Sequence, residues 1–585
     1  MERITMADSD SDLDDEFEDA FETQPIPCEM DLDTALDEAK TAINLFFNNK
    51  FNEAKEMMKP WVGTSMYHTI GNSVFDFLEA VLTFNQHSIQ KAGESLKDAI
   101  QLCNYYRKKN TFSESIGKMV RRTNYDVYTN EEVHAELCFA ESLLLKALLS
   151  FIEDETLVSF IRAGLKIRSC FNSYKECSHI LNHRNWAKKE PHKIHFESGV
   201  RVGIGAFNLM ISLLPTRIIK LLEFIGFSGS KELGLQELEA SYGLTQGLRQ
   251  VLSVMTLLSY NLIVVYVFSH TDGDLQFCDT ILKKQLMLYP EGAWFLYFKG
   301  RLEFMRGNLK EANSWYTKSW KSQNTWVQFH HICFWELLWT NSINLDWKEA
   351  NIHATSLLND SRWSRTIYSY HKVSIMLMYF DELSGEEQQA VINLMRNVPR
   401  WKQRIAGKSI PMEKFCVKKS KRFFSQNNKL ILPAMELIYV WNLFKVIGKK
   451  RELSDRFYKV ISDAELKFEK DPEQYGSEFE ADNRALLYLL KGACLRRMNN
   501  PMLAEENLRN VVALEKKIKE DNYLVPYALV ELGIMFHEGG DNQRAIQTLD
   551  DAKKNYTGYS LESRLHFQMH SAMMELQSLK HSNKN

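Results

Sequence analysis

The stretch AGKS at Ala406–Ser409 has the residue types of a phosphate-binding turn: a glycine amide, a lysine for phosphate charge and a hydroxyl for magnesium. The complete loop needs an earlier glycine at position 402, which is Lys402, and no strand-like run precedes it. Gly199, Gly203 and Gly205 in GVRVGIGAF miss the dinucleotide spacing and are expected to let helices approach closely instead. His330 and His331 are adjacent, so on a helix they point apart and cannot chelate one ion together. His192 and His195 share a helix face, but no nearby cysteine or acid completes a tetrahedral set. The nine cysteines are scattered without a C-x-x-C pair, a pattern of reduced thiols in a cytosolic protein. No serine or cysteine lies in a nucleophile-elbow context. These residues predict no catalytic, metal or cofactor site.

The elements that must carry the chain are helical. Glycine and proline are sparse, 26 and 12 in 585 residues, and apolar residues recur at helical spacing after residue 31. In YALVELGIMFHEGGDNQRAIQTLDDAKKNY the pattern Leu529, Leu532, Gly533, Phe536, Ala545, Leu549, Ala552 is that of a tetratricopeptide repeat. Small residues sit where paired helices cross, and bulky ones fill the flanking grooves. The same frame fits Gly492, Ala504, Leu508, then Gly300, Ala312, Tyr316, Ser319, and a degenerate copy with Ala350 and Ala354. Near the start it fits Ala42, Ala54, Met58 and next Ala80, Leu96, Ala99. The expected fold class is all-α, a tetratricopeptide-type solenoid. Its divisions are a disordered acidic tail (1–30), N-terminal helical repeats (31–200), apolar central helices (201–270) and C-terminal tetratricopeptide repeats (271–585). The greasy run Val251–Phe268 is interrupted by Ser253, Thr256, Ser259 and Asn261, which favours a core helix over a membrane span in a soluble protein. IGAFNLMISLLPTRIIKLLEFIGF (204–227), broken by Pro215, reads as a buried helical pair or, alternatively, as a lipid-binding segment.

Charge is distributed unevenly. Residues 1–30 hold eleven carboxylates against Arg3 alone, within a whole-chain net charge of −3, so the remaining body is slightly basic. The body's excess is too small to argue for nucleic acid, and the leader lacks the basic and apolar regions of a secretion signal. In the basic run 417–429, Lys418, Lys419, Lys421 and Arg422 abut Phe423 and Phe424. That composition suits anionic lipid headgroups with shallow aromatic insertion, or a solvated loop between repeats.

Five strings, SMYHTIG (65–71), GAFNLMISLLPTRIIKLLEFIGFSG (205–229), KQRIAGKSIP (402–411), LILPAMELIYVWN (430–442) and YSLESRLHF (559–567), resemble the tetratricopeptide repeat protein 39 family, related to fungal inclusion-body clearance proteins. The resemblance implies a noncatalytic helical scaffold, with family roles in lipid and sterol homeostasis, aggregate clearance or cilia. The expected adaptor holds protein partners on the solenoid's concave surface. The acidic leader contains Glu16-Phe17-Glu18-Asp19-Ala20-Phe21-Glu22, which resembles the FFAT motif E-F-F-D-A-x-E. By that resemblance Glu16, Phe17, Asp19, Ala20 and Glu22 would contact VAP receptors of the endoplasmic reticulum. Phe17 would enter the apolar pocket, and Glu18 departs from the preferred second aromatic. Ser9 and Ser11 each have an acid three residues downstream and are expected phosphorylation sites. The expected location is cytoplasmic, peripheral at the endoplasmic reticulum.

Overall fold

A computed structural model describes residues 28–83, 86–107, 123–153, 157–187, 190–213, 229–361, 363–403 and 410–582. Among these residues there is no strand, and consecutive helices pair as antiparallel hairpins. Each of the six repeat frames falls on one hairpin. They are α1 (Leu32–Phe47) with α2 (Phe51–Met58), and α3 (Met66–Thr83) with α4 (Gln86–Tyr106). After α5 (Asn130–Glu153), α6 (Leu157–His183), α7 (Pro191–Ser212), α8 (Lys231–Gly243), α9 (Gln250–Phe268) and α10 (Leu275–Leu288), the frames resume. α11 (Ala293–Met305) pairs with α12 (Leu309–Lys321), and α13 (Val327–Ile343) with α14 (Trp347–Asp360). Then come α15 (Arg365–Leu377), α16 (Gly385–Asn397), α17 (Pro411–Ser425), α18 (Pro433–Val440), α19 (Phe444–Ile447) and α20 (Arg451–Lys470). The last frames are α21 (Glu480–Arg497) with α22 (Pro501–Ala513) and α23 (Leu524–Glu538) with α24 (Asn542–Asn555), closed by α25 (Glu562–Ser582).

One turn recurs within five hairpins. A residue with positive φ ends the first helix: Asn49, Gly307, Leu345, Asn499 and Gly540. The next amide then reaches back five residues, as Lys50 to Leu45, Asn308 to Glu303, Asp346 to Asn341, Asn500 to Leu495 and Asp541 to Phe536, at 2.8–3.0 Å. This left-handed closure satisfies the carbonyls that a helix end leaves open. An aspartate or asparagine then caps the second helix in three of these turns, Asp346, Asn500 and Asp541 accepting from the amide three residues on. The crossings follow the small-against-large rule. A Cβ added to Gly533 would lie 2.7 Å from Leu549, one on Gly492 2.8 Å from Leu508, and one on Gly300 2.7 Å from Tyr316. Without side chains at these points the helix axes close up.

Most of the buried apolar residues form one cluster running from Ala42 to Leu576, and three smaller clusters fill the N-terminal helices. The N-terminal hairpin joins it through Phe51, stacked 4.5 Å from Trp326, and through Asn49, which accepts from the Ala293 amide at 2.9 Å. α9 is apolar and long enough to cross a membrane, yet half of it is buried inside the protein. Its π-helical turn, Tyr260–Val264, brings the Leu262 carbonyl to the buried Arg301 at 3.0 Å. That is the geometry of a core helix. Of the apolar segment 204–227, the portion up to Leu213 packs internally: Phe207, Leu209 and Ile211 are buried. Gly205 lies 3.0 Å, by its missing Cβ, from the Gly234 carbonyl of α8. Gly199 and Gly203 face Leu137 and Tyr174 in the same way, so these glycines do permit close packing. Residues 214–227 lie outside the described residues.

Candidate functional site

The inner face of the C-terminal repeats, expected to hold a partner segment, holds the chain's own residues 433–447. All eight residues of α18 and all four of α19 are buried. Leu432, forced to φ +43° ahead of Pro433, turns the chain into this interior. The helices α11, α13, α15, α21 and α23 converge on the rod. Trp441, at its middle, lies 5.1 Å from Trp335 of α13 by ring centroids, and donates its Nε1 hydrogen to His371 Nε2 of α15 at 3.1 Å. The Arg564 guanidinium lies over its ring at 3.9 Å. Tyr439 donates to Glu531 of α23 at 3.1 Å. Burial of Met435, Leu437, Ile438, Val440, Phe444, Val446 and Ile447 contributes on the order of 10–20 kcal/mol as an upper bound. A micromolar peptide brings about 8 kcal/mol. The rod fills the groove, so the groove is not an open partner site.

Buried charges pin one end of the rod. Lys419 of α17 pairs with Glu436 of α18 and, at 2.7 Å, with Asp521. Arg422 pairs with Asp521, donates to Asn483 and Gln426 at 2.7 Å each, and lies 3.7 Å from Asp482. Asp482 accepts the amides of Lys519, Glu520 and Asp521 at 2.8–2.9 Å. Burial pushes the Glu436 carboxyl above its ordinary range. Burial works in the same direction on Asp521, but Lys419 and Arg422 outweigh it and hold that carboxyl low. These contacts correct the reading of 417–429 as a lipid-facing or solvated loop. It is the end of a helix and the turn after it, and Lys419, Arg422 and Phe423 are core residues. Lys418 donates to the Glu520 carbonyl, whereas Lys421 and Phe424 are exposed.

Beyond the other end of the rod lies a polar cavity of about 490 Å³, lined by His270, Thr271, Asp272, Lys445, Lys449, Arg497, His537, Glu538 and Glu575. Lys445 donates to the carbonyls of Tyr266, Ser269 and Thr271 at 3.3, 2.7 and 2.9 Å, and burial brings its amine down to about 7. Lys449 is paired with Asp272, and Arg496 with Glu531 and Glu538 at 2.7 and 2.8 Å. Arg497 is lowered to about 10 by burial and by its neighbour Arg496. Across the cavity, His270 Nε2 lies 3.1 Å and His537 Nε2 3.5 Å from the two oxygens of Glu575. Their Nδ1 atoms face Ser571 Oγ at 3.4 Å and Asn542 Oδ1 at 3.0 Å. Sequence spacing could not show this cluster, because its members come from the segment after α9, from α23 and from α25. A second cavity of about 520 Å³ is lined by Pro411, Lys414 and Gly558–Ser563 with His566.

The remaining sequence candidates fall apart in space. His330 Nε2 bonds to the Gln323 carbonyl at 2.6 Å, and His331 does not share that contact. His192 lies 3.4 Å from Asp33, while His195 accepts the Leu248 amide at 3.1 Å. The AGKS residues 406–409, Ser9, Ser11 and the motif residues Glu16, Phe17, Asp19, Ala20 and Glu22 lie outside the described residues.

A family model for Iml2/Tetratricopeptide repeat protein 39 matches residues 40–498. A Caenorhabditis elegans protein described as "Tetratricopeptide repeat protein ttc-39B" is 35% identical over 567 residues, covering 96% of this chain and 95% of its own. Among solved structures, "Human IFIT1 dimer with PPP-AAAA" is 10% identical with a TM-score of 0.31, covering 86% of this chain and 99% of that one. The yeast Tom70 crystal structure is 12% identical with a TM-score of 0.28, covering 94% and 96%.

Proposed function

This chain belongs to the Iml2/tetratricopeptide repeat protein 39 family, and from that premise we propose a noncatalytic protein-interaction scaffold tethered to the endoplasmic reticulum by its acidic leader. The observation that carries this reading is the filled inner face: the repeats hold residues 433–447, so capture of partners falls elsewhere on the chain. The acidic leader carries a candidate docking sequence. Phe17 would fill an apolar pocket of the VAP major sperm protein domain, Asp19 would meet a basic residue, and Ala20 would fit a site too small for larger side chains. Asp8 to Asp15 would steer the encounter electrostatically. Phosphate on Ser9 and Ser11 would add about −1.5 to −2 charges each and strengthen that steering. At this membrane the scaffold would serve lipid and sterol homeostasis, the setting the family resemblance implies.

Calorimetry of a peptide spanning residues 5–24 against the purified domain tests the tether. Micromolar binding that weakens with salt is expected, with Phe17→Ala abolishing it. Equal binding by both peptides would remove the docking role.

A further inference from the structure

We infer that His270, His537 and Glu575 form a site for one zinc-class divalent cation, with its fourth coordination position open to the 490 Å³ cavity. The three ligand atoms lie within 4.8 Å of one another. Tetrahedral zinc with bonds near 2.0 Å separates its ligands by about 3.3 Å. The two imidazole-to-carboxylate distances, 3.1 and 3.5 Å, are of that order and run to the two different oxygens of Glu575. Bringing one carboxylate oxygen and the two imidazole nitrogens to that spacing needs at most about 1.5 Å of movement in any pair. The exposed, unbranched Glu575 side chain can supply part of it.

The donor chemistry agrees. Two imidazoles and one carboxylate suit zinc, cobalt or nickel better than the oxygen-seeking magnesium or calcium. Asn542 Oδ1 accepts from His537 Nδ1, so the neutral tautomer with that proton presents the Nε2 lone pair towards Glu575. Such an outer partner is what fixes a ligating imidazole's tautomer. The cavity's cations oppose a dication only in part, since Lys449 is neutralised by Asp272 and Lys445 is held by the Tyr266, Ser269 and Thr271 carbonyls.

A bound ion would join the end of α9 to α23 and α25, three elements that otherwise meet there through hydrogen bonds and the Phe268–Phe567 ring pair at 4.6 Å. Binding to the folded state alone raises its stability by mass action. Chelator-stripped full-length protein is titrated with zinc against a chromogenic competitor, and its melting midpoint is followed with and without zinc. One equivalent should bind and raise the midpoint. His537→Gln and Glu575→Gln should each weaken binding at least about tenfold and abolish the rise. Glu575 is 45% exposed on its side chain, so Glu575→Gln tests the site even where His537→Gln fails to fold. Absence of zinc uptake, or uptake that Glu575→Gln leaves unchanged, would show that the cluster is only an ion-paired joint and overturn the inference.

Discussion

Replacing Arg422 by methionine keeps an unbranched side chain of similar length and removes one charge from the pinned end of the rod. Around it stand three carboxylates, Glu436, Asp482 and Asp521, against two cations, Lys419 and Arg422. Asp482 retains its three backbone amides, and Lys419 still bridges Glu436 and Asp521. Asp521 nevertheless loses one of two cations at a position 2% exposed, and Asn483 and Gln426 lose a donor each. Breaking a buried pair by removing one partner costs about 3–5 kcal/mol, against at most about 1 kcal/mol for an exposed pair. The whole chain is too long to treat as two-state, so the readout should be local. Hydrogen exchange followed by mass spectrometry on peptides covering 433–447 and 519–524 reports the opening of this region. At 1.4 kcal/mol per decade, exchange through that opening should quicken roughly a hundredfold to a few thousandfold. Adding Asp521→Asn to Arg422→Met restores the charge balance and should recover most of the protection. Acceleration below about fivefold, or a double variant no better than the single one, would refute the claim that these charges hold the rod in place.

Three further outcomes follow from the packing. Gly533→Leu places a side chain where even a Cβ would lie 2.7 Å from the buried Leu549, and should cost about 1–3 kcal/mol or more; an unchanged melt would show that α23 and α24 do not cross there. His371 is held at about 4 by burial and accepts from Trp441, so the folded state resists its protonation. Its contribution is complete above pH 6.5 and is lost as pH falls from there towards 4; thermal melts across that range should show a shallower decline in His371→Gln, and parallel profiles would contradict it. Mass spectrometry of the protein from cells should find phosphate on Ser9 and Ser11, and serines unmodified throughout would exclude that part of the reading.

The hairpins were legible because their signals are local. Gly300, Gly492 and Gly533 sit at fixed distances from Tyr316, Leu508 and Leu549 in sequence, and a helix turns those distances into crossings. What surrounds the rod was not legible: the apolar run 433–440 announces burial, but its ring of helices is gathered from Ala293 to Glu538. Lys419 and Arg422 read as surface residues because charges are almost never buried unless paired. Their partners Asp482 and Asp521 lie far along the chain, so composition at 417–429 pointed to solvent or lipid where the structure has core. His270 gave no metal signal for the same reason, standing alone in its own segment.

Proximity labelling in cells, with the label on the C-terminus of the full chain and of a chain lacking residues 1–30, tests the scaffold-and-tether account most directly. The account predicts that removing the leader strips endoplasmic reticulum membrane neighbours from the labelled set while the partners of the folded body persist. Identical neighbour sets for the two chains would contradict it.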